Sequence, residues 1–201
     1  MESKEKLLLH SCCGPCSAGA LERLLREYDI TVFFYNPNVT DSTEYGRRRE
    51  AQITCIEAFN REVLKGKESN QVGYVEGPYE PQAFFKTTMG MEDEPEGGRR
   101  CIKCFRLRLL KTAKVAAEMG FKIYGTTLSI SPHKNYDLLC KIGNQVLRYE
   151  EVGCQELQFL KDDLKKKDGF TRSVQLAKKF NLYRQNYCGC DFSRPRTAND
   201  P

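Results

Sequence analysis

The 201-residue sequence predicts one α/β domain, a mostly parallel sheet with helices on both faces. Three observations carry that prediction. Short apolar runs rich in β-branched and aromatic residues alternate with amphipathic segments. Cap and turn residues, not long linkers, separate them. A composition of 40% hydrophobic and 29% charged residues suits a chain with one core. No repeat or linker interrupts the alternation, so residues 1–201 are expected to form a single metal-binding domain of Rossmann-like or HUP-like architecture, with 193–201 as a flexible tail.

The elements follow in order. Lys6 to His10 reads as a short buried strand, and Ser17 is expected to cap a helix with Ala20, Leu21, Leu24, Leu25 and Tyr28 on one face. TVFFYNPN is a strand ending in a turn. Asp41 opens a long helix, with Glu44 at the capping-box spacing. Val72 to Val75 is a third strand and a short helix follows Pro81. The polar, Gly-rich stretch MEDEPEGGRR is a loop that delivers Cys101 to a helix running to Met119, with Gly120 just past its end. KIYGTTL is a strand, Ser131 and Pro132 open another helix, Leu157 to Leu160 is a further strand, and a last helix leads into an irregular cysteine loop. In such sheets, loops at the carboxyl ends of the strands gather where strand order reverses. The CCGPC, YNPN and TTLSISPHK loops should therefore converge on one crevice, with CIKC and CGC approaching it.

No apolar run approaches the roughly 18 residues of a membrane span. The apolar start Leu7 to Leu9 is interrupted by His10, which argues against a secretion signal and for a cytoplasmic protein with no membrane partner. Net charge is +5, with the excess of Lys and Arg in the C-terminal half, a pattern that suits an acidic partner such as nucleic acid.

Ten cysteines in 201 residues fall below the density of small secreted disulfide scaffolds, which favours metal binding or redox chemistry. Seven are grouped: Cys12, Cys13 and Cys16; Cys101 and Cys104; Cys188 and Cys190. Cys55, Cys140 and Cys154 stand alone and are expected to be structural. Cys101 and Cys104, three apart at a helix start, share a face and can serve one metal centre. Cys12 and Cys13 are adjacent, and consecutive side chains diverge in regular backbone, so two neighbouring centres would use both. A 4Fe-4S cluster takes four thiolates and leaves three for a mononuclear metal. Two rival readings use the same residues. CGPC between a strand and a helix suits thiol–disulfide exchange through Cys13 and Cys16, although Trp is absent and the other grouped cysteines are left without a task. A zinc-containing nucleic-acid-binding module fits the basic C-terminal half, but regular paired CxxC spacing is missing. Arg99, Arg100, Lys103, Arg106 and Arg108 surround CIKC. They either face an anionic centre or pair with Glu92, Asp93, Glu94 and Glu96.

The segments LLLHSCCGPC, FFYNPN, EYGRRREAQ, GGRRCIKCFRLRL, TTLSISPHKN and YRQNYCGC, in that order over roughly residues 6–192, resemble the QueH family of epoxyqueuosine reductases. The resemblance implies reduction of the epoxide of epoxyqueuosine at the wobble position of tRNA to give queuosine and water. It also implies an iron-sulfur cluster beside a single iron. Removing an epoxide oxygen takes two electrons, two protons and a Lewis acid; such a pair of centres would supply the electrons and the Lewis acid, leaving the protons to side chains. On this view Cys101, Cys104 and one member each of Cys12/Cys13 and Cys188/Cys190 hold the cluster, and the others, with Cys16, face the iron. His10, Tyr35 and His133, in or beside strand-end loops, are the candidate proton donors. Asn36 and Asn38 are candidates to bind the base or to shape the Pro37 turn. Arg184, Gln185 and Tyr187, with Tyr183, are candidate readers of an anticodon-loop base. Arg47, Arg48, Arg49, Arg194 and Arg196 are candidate phosphate contacts. No dinucleotide fingerprint occurs, so an external one-electron donor is expected.

Overall fold

Leu7, Leu8 and Leu9 are all fully buried in the computed structural model, which describes residues 4–63, 65 and 71–194. Three consecutive buried leucines require apolar layers on both sides of their strand. That strand, β1 (Glu5–Ser11), lies at the centre of a five-stranded sheet. β2 (Tyr28–Phe34), β3 (Gly73–Glu76), β4 (Ile123–Thr126) and β5 (Gln158–Phe159) complete it in the order β3-β2-β1-β4-β5. Every pairing is parallel, with Leu9 opposite Val32 on one side and Gly125 on the other.

Leu7 and Leu9, with Ile30 and Val32, meet α1 (Gly14–Leu24), α2 (Ser42–Ala58) and α6 (Gly169–Lys179). Leu8, Phe33 and Tyr124 face the opposite layer, built from α4 (Arg99–Glu118) and α5 (Tyr136–Val146). The period-2 alternation thus feeds two cores, and each fully buried leucine contributes roughly 1.5–3 kcal/mol. A short α3 (Pro81–Thr88) packs beside α4, with Phe84 against Cys104. The chain winds from β1 outward to β3, then returns to add β4 and β5 on the other side. The order therefore reverses between β1 and β4, whose carboxyl ends carry the CCGPC and TTLSISPHK loops.

Four local expectations are corrected. The first helix begins at Gly14, capped by the extended backbone of Cys13 with Pro15 in its first turn, so Ser17 lies inside it. Ser17 instead hydrogen-bonds Ser11 and Gln52. Tyr28 is the first residue of β2, because the helix ends at Leu24 and Glu27 N–H turns back to the Leu24 carbonyl. Ser131 and Pro132 do not open a helix. A 3-10 turn spans Thr127–Ile130 and α5 starts at Tyr136, where the Asn135 side chain accepts from Leu138 N–H. The helix carrying Cys101 begins at Arg99. The Asp41 cap is present, accepting from Thr43 and Glu44 N–H. Residues 195–201, with Arg196, lie outside the described residues. Among the described residues, no helix is long and apolar enough to cross a membrane.

Candidate metal centre

The loop after β1 brings Cys12, Cys13 and Cys16 together, with all three sulfurs within 4.8 Å of one another. The Cys12 and Cys13 sulfurs are 3.8 Å apart, against the expectation that adjacent cysteines must serve separate centres. The reason is the backbone. Cys13 is an N-cap with φ −174° and ψ 156°, so the chain passes from extended to helical there and regular divergence does not apply. Cys12 and Cys16 line the adjoining cleft, while Cys13 is fully buried behind them.

Several contacts fix this loop. The Ser11 hydroxyl lies 2.6 Å from Ser17 Oγ and 2.7 Å from Gln52 Oε1, and Ser17 Oγ donates to the same amide oxygen at 2.8 Å. α2 crosses so close that a Cβ on Gly14 would sit 2.2 Å from the Ala51 carbonyl oxygen. Gln185 Nε2 donates to Cys13 Sγ at 3.0 Å. Hydrogen bonding from Cys13 and Cys16 holds the Cys12 thiol well below its ordinary range and outweighs burial, with Lys134 and Arg108 adding to the effect. The same contacts push Cys13 up to about 12 and raise Cys16. Three sulfurs gathered at a helix N-terminus are a donor set suited to a thiophilic cation that displaces their protons.

The other four grouped cysteines lie at the start of α4 and in the CGC loop. Cys101 and Cys104 occupy one face of the first turns of α4, and Cys104 packs with Cys190 against Phe84. Burial raises all three of Cys101, Cys104 and Cys190, Cys104 to about 12. Gly97 N–H donates to Cys101 Sγ at 3.2 Å. Cys12 and Cys13 thus lie together and not apart. The seven free thiols of these three segments suit thiophilic metals, as the expected pair of groups requires.

The CGC loop is held from α2. Arg48 donates to the Cys188 carbonyl at 2.9 Å and the Tyr187 carbonyl at 3.1 Å, while its Nε donates to Glu44 at 2.6 Å. Gly189 has φ +112°, and a Cβ there would lie 2.8 Å from Arg48 Nη1. Arg48 is thus a buried strap and not a phosphate contact. Arg49 pairs with Glu76, whereas Arg47 is exposed and lies over the Tyr183 ring. Arg194 pairs with Asp41 beside Tyr187.

A cleft of about 590 Å³ opens beside Cys12, Cys16 and Cys188, lined also by Arg184, Gln185, Tyr187, His133, Lys134 and Arg108 among others. Besides these cysteines, the predicted residues at this cleft are Arg48, Arg184, Gln185, Tyr187 and His133. His10, Tyr35, Asn36 and Asn38 are not among its lining residues. His10 is fully buried, with Nε2 donating to the Tyr35 carbonyl and Nδ1 accepting from Thr126 Oγ1. Burial, then Arg108, lowers its pKa to about 3, so it is neutral and its single proton is committed. The Tyr35 hydroxyl donates to Glu80 at 2.6 Å and is raised above its ordinary range, chiefly by burial. Asn36 donates to the Ser11 carbonyl and Asn38 to the Cys188 carbonyl, so both brace cysteine loops and neither is open to a base.

The family model described as Epoxyqueuosine reductase QueH matches residues 7–196. The chain belongs to the QueH family. Relatives named epoxyqueuosine reductase QueH include one from Staphylococcus aureus, 41% identical over 98% of this chain and 79% of its own length. One from Streptococcus pyogenes is 38% identical over 94% and 71%. One from Dehalococcoides mccartyi is 33% identical over 98% and 96%. QueH membership disfavours both the zinc module and the thiol-exchange reading. In the latter, the leading thiol, Cys13, would also have to react from a fully buried position.

The basic cluster at CIKC splits in this QueH chain. Arg99 pairs with Glu94, and Arg100 donates to the carbonyls of Met91, Glu92 and Glu94. Arg108 faces the cleft. Lys134 was missed, although it ends the TTLSISPHK loop that the topology sends to the crevice. Burial opposes its charge, but the thiols of Cys188, Cys12 and Cys16 outweigh that and hold its ammonium protonated.

Proposed function

We propose that this chain removes the epoxide oxygen of epoxyqueuosine in tRNA, yielding queuosine and water with two electrons and two protons from outside the substrate. The observation that carries the reading is that thiols from two separate loops, Cys12 and Cys16 with Cys188, line one cationic cleft on the switch point of the sheet. Cys101, Cys104, Cys188 and Cys190 would hold a 4Fe-4S cluster, and Cys12, Cys13 and Cys16 a single iron. When bound, these groups supply electrons singly and a Lewis acid for the epoxide oxygen.

The chain's own residues supply the rest. Arg184 and Tyr187 at the cleft wall suit a splayed base, by stacking and charge, with the adjoining phosphates attracted to the surrounding cations. His133 Nε2 or Nδ1 and Lys134 Nζ are the proton-bearing atoms of the cleft and serve the departing oxygen. The buried wall formed by Cys12, Leu128 and Cys188 limits water. The absence of a dinucleotide fingerprint supports an external one-electron donor, and cytoplasmic tRNA as substrate supports a cytoplasmic site of action.

The test uses protein purified without oxygen, with iron, acid-labile sulfide and zinc counted per chain, then incubated with epoxyqueuosine-containing tRNA and dithionite. Nucleoside mass spectrometry is expected to show queuosine, with about five iron and four sulfide bound. Iron-loaded protein that leaves epoxyqueuosine intact, or zinc without sulfide, overturns the reading.

A further inference from the structure

Three arginines are fully buried, and the fold treats one differently. Arg48 is tied to Glu44 and two carbonyls, and Arg100 to three carbonyls. Arg108 is 1% exposed, its Nε and Nη2 have no hydrogen-bond partner, and among the described residues no carboxylate is within ion-pair distance. Its only offsetting contact of note is the Phe105 ring, whose centroid lies 5.5 Å from Cζ. An unpaired guanidinium in the interior is strongly unfavourable unless a negative charge is brought to it.

Its position says which charge. Arg108 is four residues beyond Cys104 and seven beyond Cys101, on the same face of α4. It lines the cleft together with Cys12 and Cys188. The guanidinium therefore shares one cleft with thiols from separate cysteine loops.

We infer that Arg108 is a positioning residue for the redox centre, supplying the fixed positive charge that offsets the thiolate-rich groups and raises their reduction potential. This rests on the proposed metal-dependent reduction. A nearby cation favours the state holding one more electron, so its removal makes the centre harder to reduce.

The experiment compares wild type, Arg108→Lys and Arg108→Met after anaerobic reconstitution with iron and sulfide, using redox titration followed by paramagnetic resonance. All three are expected to bind the same iron and sulfide. The midpoint of Arg108→Met shifts to more negative potential, and that of Arg108→Lys lies between. A second readout needs no cluster. Without metal, Arg108→Met should melt at higher temperature than wild type, because an unpaired buried charge is gone, and the melting gain on loading should shrink. An unshifted midpoint in fully loaded Arg108→Met overturns the inference. So does a metal-free Arg108→Met that melts below wild type, the signature of a packing role, and this comparison decides if the variant does not load. Wild-type protein that takes up no iron and sulfide fails at an earlier step and overturns the underlying reading as well.

Discussion

Cys12, Cys13 and Cys16 come from a single turn of chain between β1 and α1, whereas Cys104 meets Cys190 only when the start of α4 is brought to a loop near residue 190. The first group is shaped by local backbone. A strand end, an extended N-cap and the Ser11–Ser17–Gln52 contacts fix it, and α2 presses on it at Gly14. The second group depends on distant segments and on Arg48, which holds the CGC loop by two carbonyls. The contrast teaches that two sets of cysteines beside one cleft can have separate points of failure.

The largest expected effect tests that separation directly. Cys104→Ala should abolish bound sulfide while the group at Cys12, Cys13 and Cys16 still takes up a metal. Metal and sulfide counts check it, and a variant with full sulfide would break the assigned division. Arg48→Met comes next. Removing one partner of the buried Arg48–Glu44 pair should cost about 3–5 kcal/mol in denaturant unfolding, with sulfide lost before the mononuclear metal. Equal loss from both groups would show that the strap serves the whole fold.

Gly14→Ala strikes the opposite side. The added methyl would overlap the Ala51 carbonyl, so stability should fall by about 1–3 kcal/mol, with the mononuclear site the more weakened. Denaturation and metal-binding titrations read both quantities. The smallest effect is expected at Arg184→Ala on the exposed cleft wall. Binding of tRNA should weaken several-fold and the slope of log affinity against log salt should drop by about one, with metal content unchanged. An unchanged slope would remove Arg184 from the RNA contact.

Much of the architecture was legible because it is written in short-range patterns. The leucine run, the Asp41 cap and the alternation of strands and helices all lead to the observed sheet. Boundaries failed where a residue was suited to two roles. Ser17 has a capping side chain but uses it inside the core, and Tyr28 continues the helical face yet belongs to a strand. At the centre, the seven grouped cysteines were visible from spacing, but the joining of Cys12 and Cys13 in one group depends on backbone geometry at Cys13. His10, Tyr35 and Asn36 illustrate a different limit. Polar residues at strand ends attract a catalytic reading, and only tertiary contacts reveal that their donors are already committed. Arg108 carried a local signal in its helical spacing from Cys101 and Cys104, but its lack of a partner is a property of the assembled interior.

The strap from Arg48 also imposes an order in time. Synthesis delivers the β1–α1 turn and α2 early, so the first thiol group and the guanidinium that will hold the second precede the loop they serve. The carbonyls of Tyr187 and Cys188 arrive well after, and until they do Arg48 has only Glu44 to bind. The C-terminal side of the cleft is thereby assembled last.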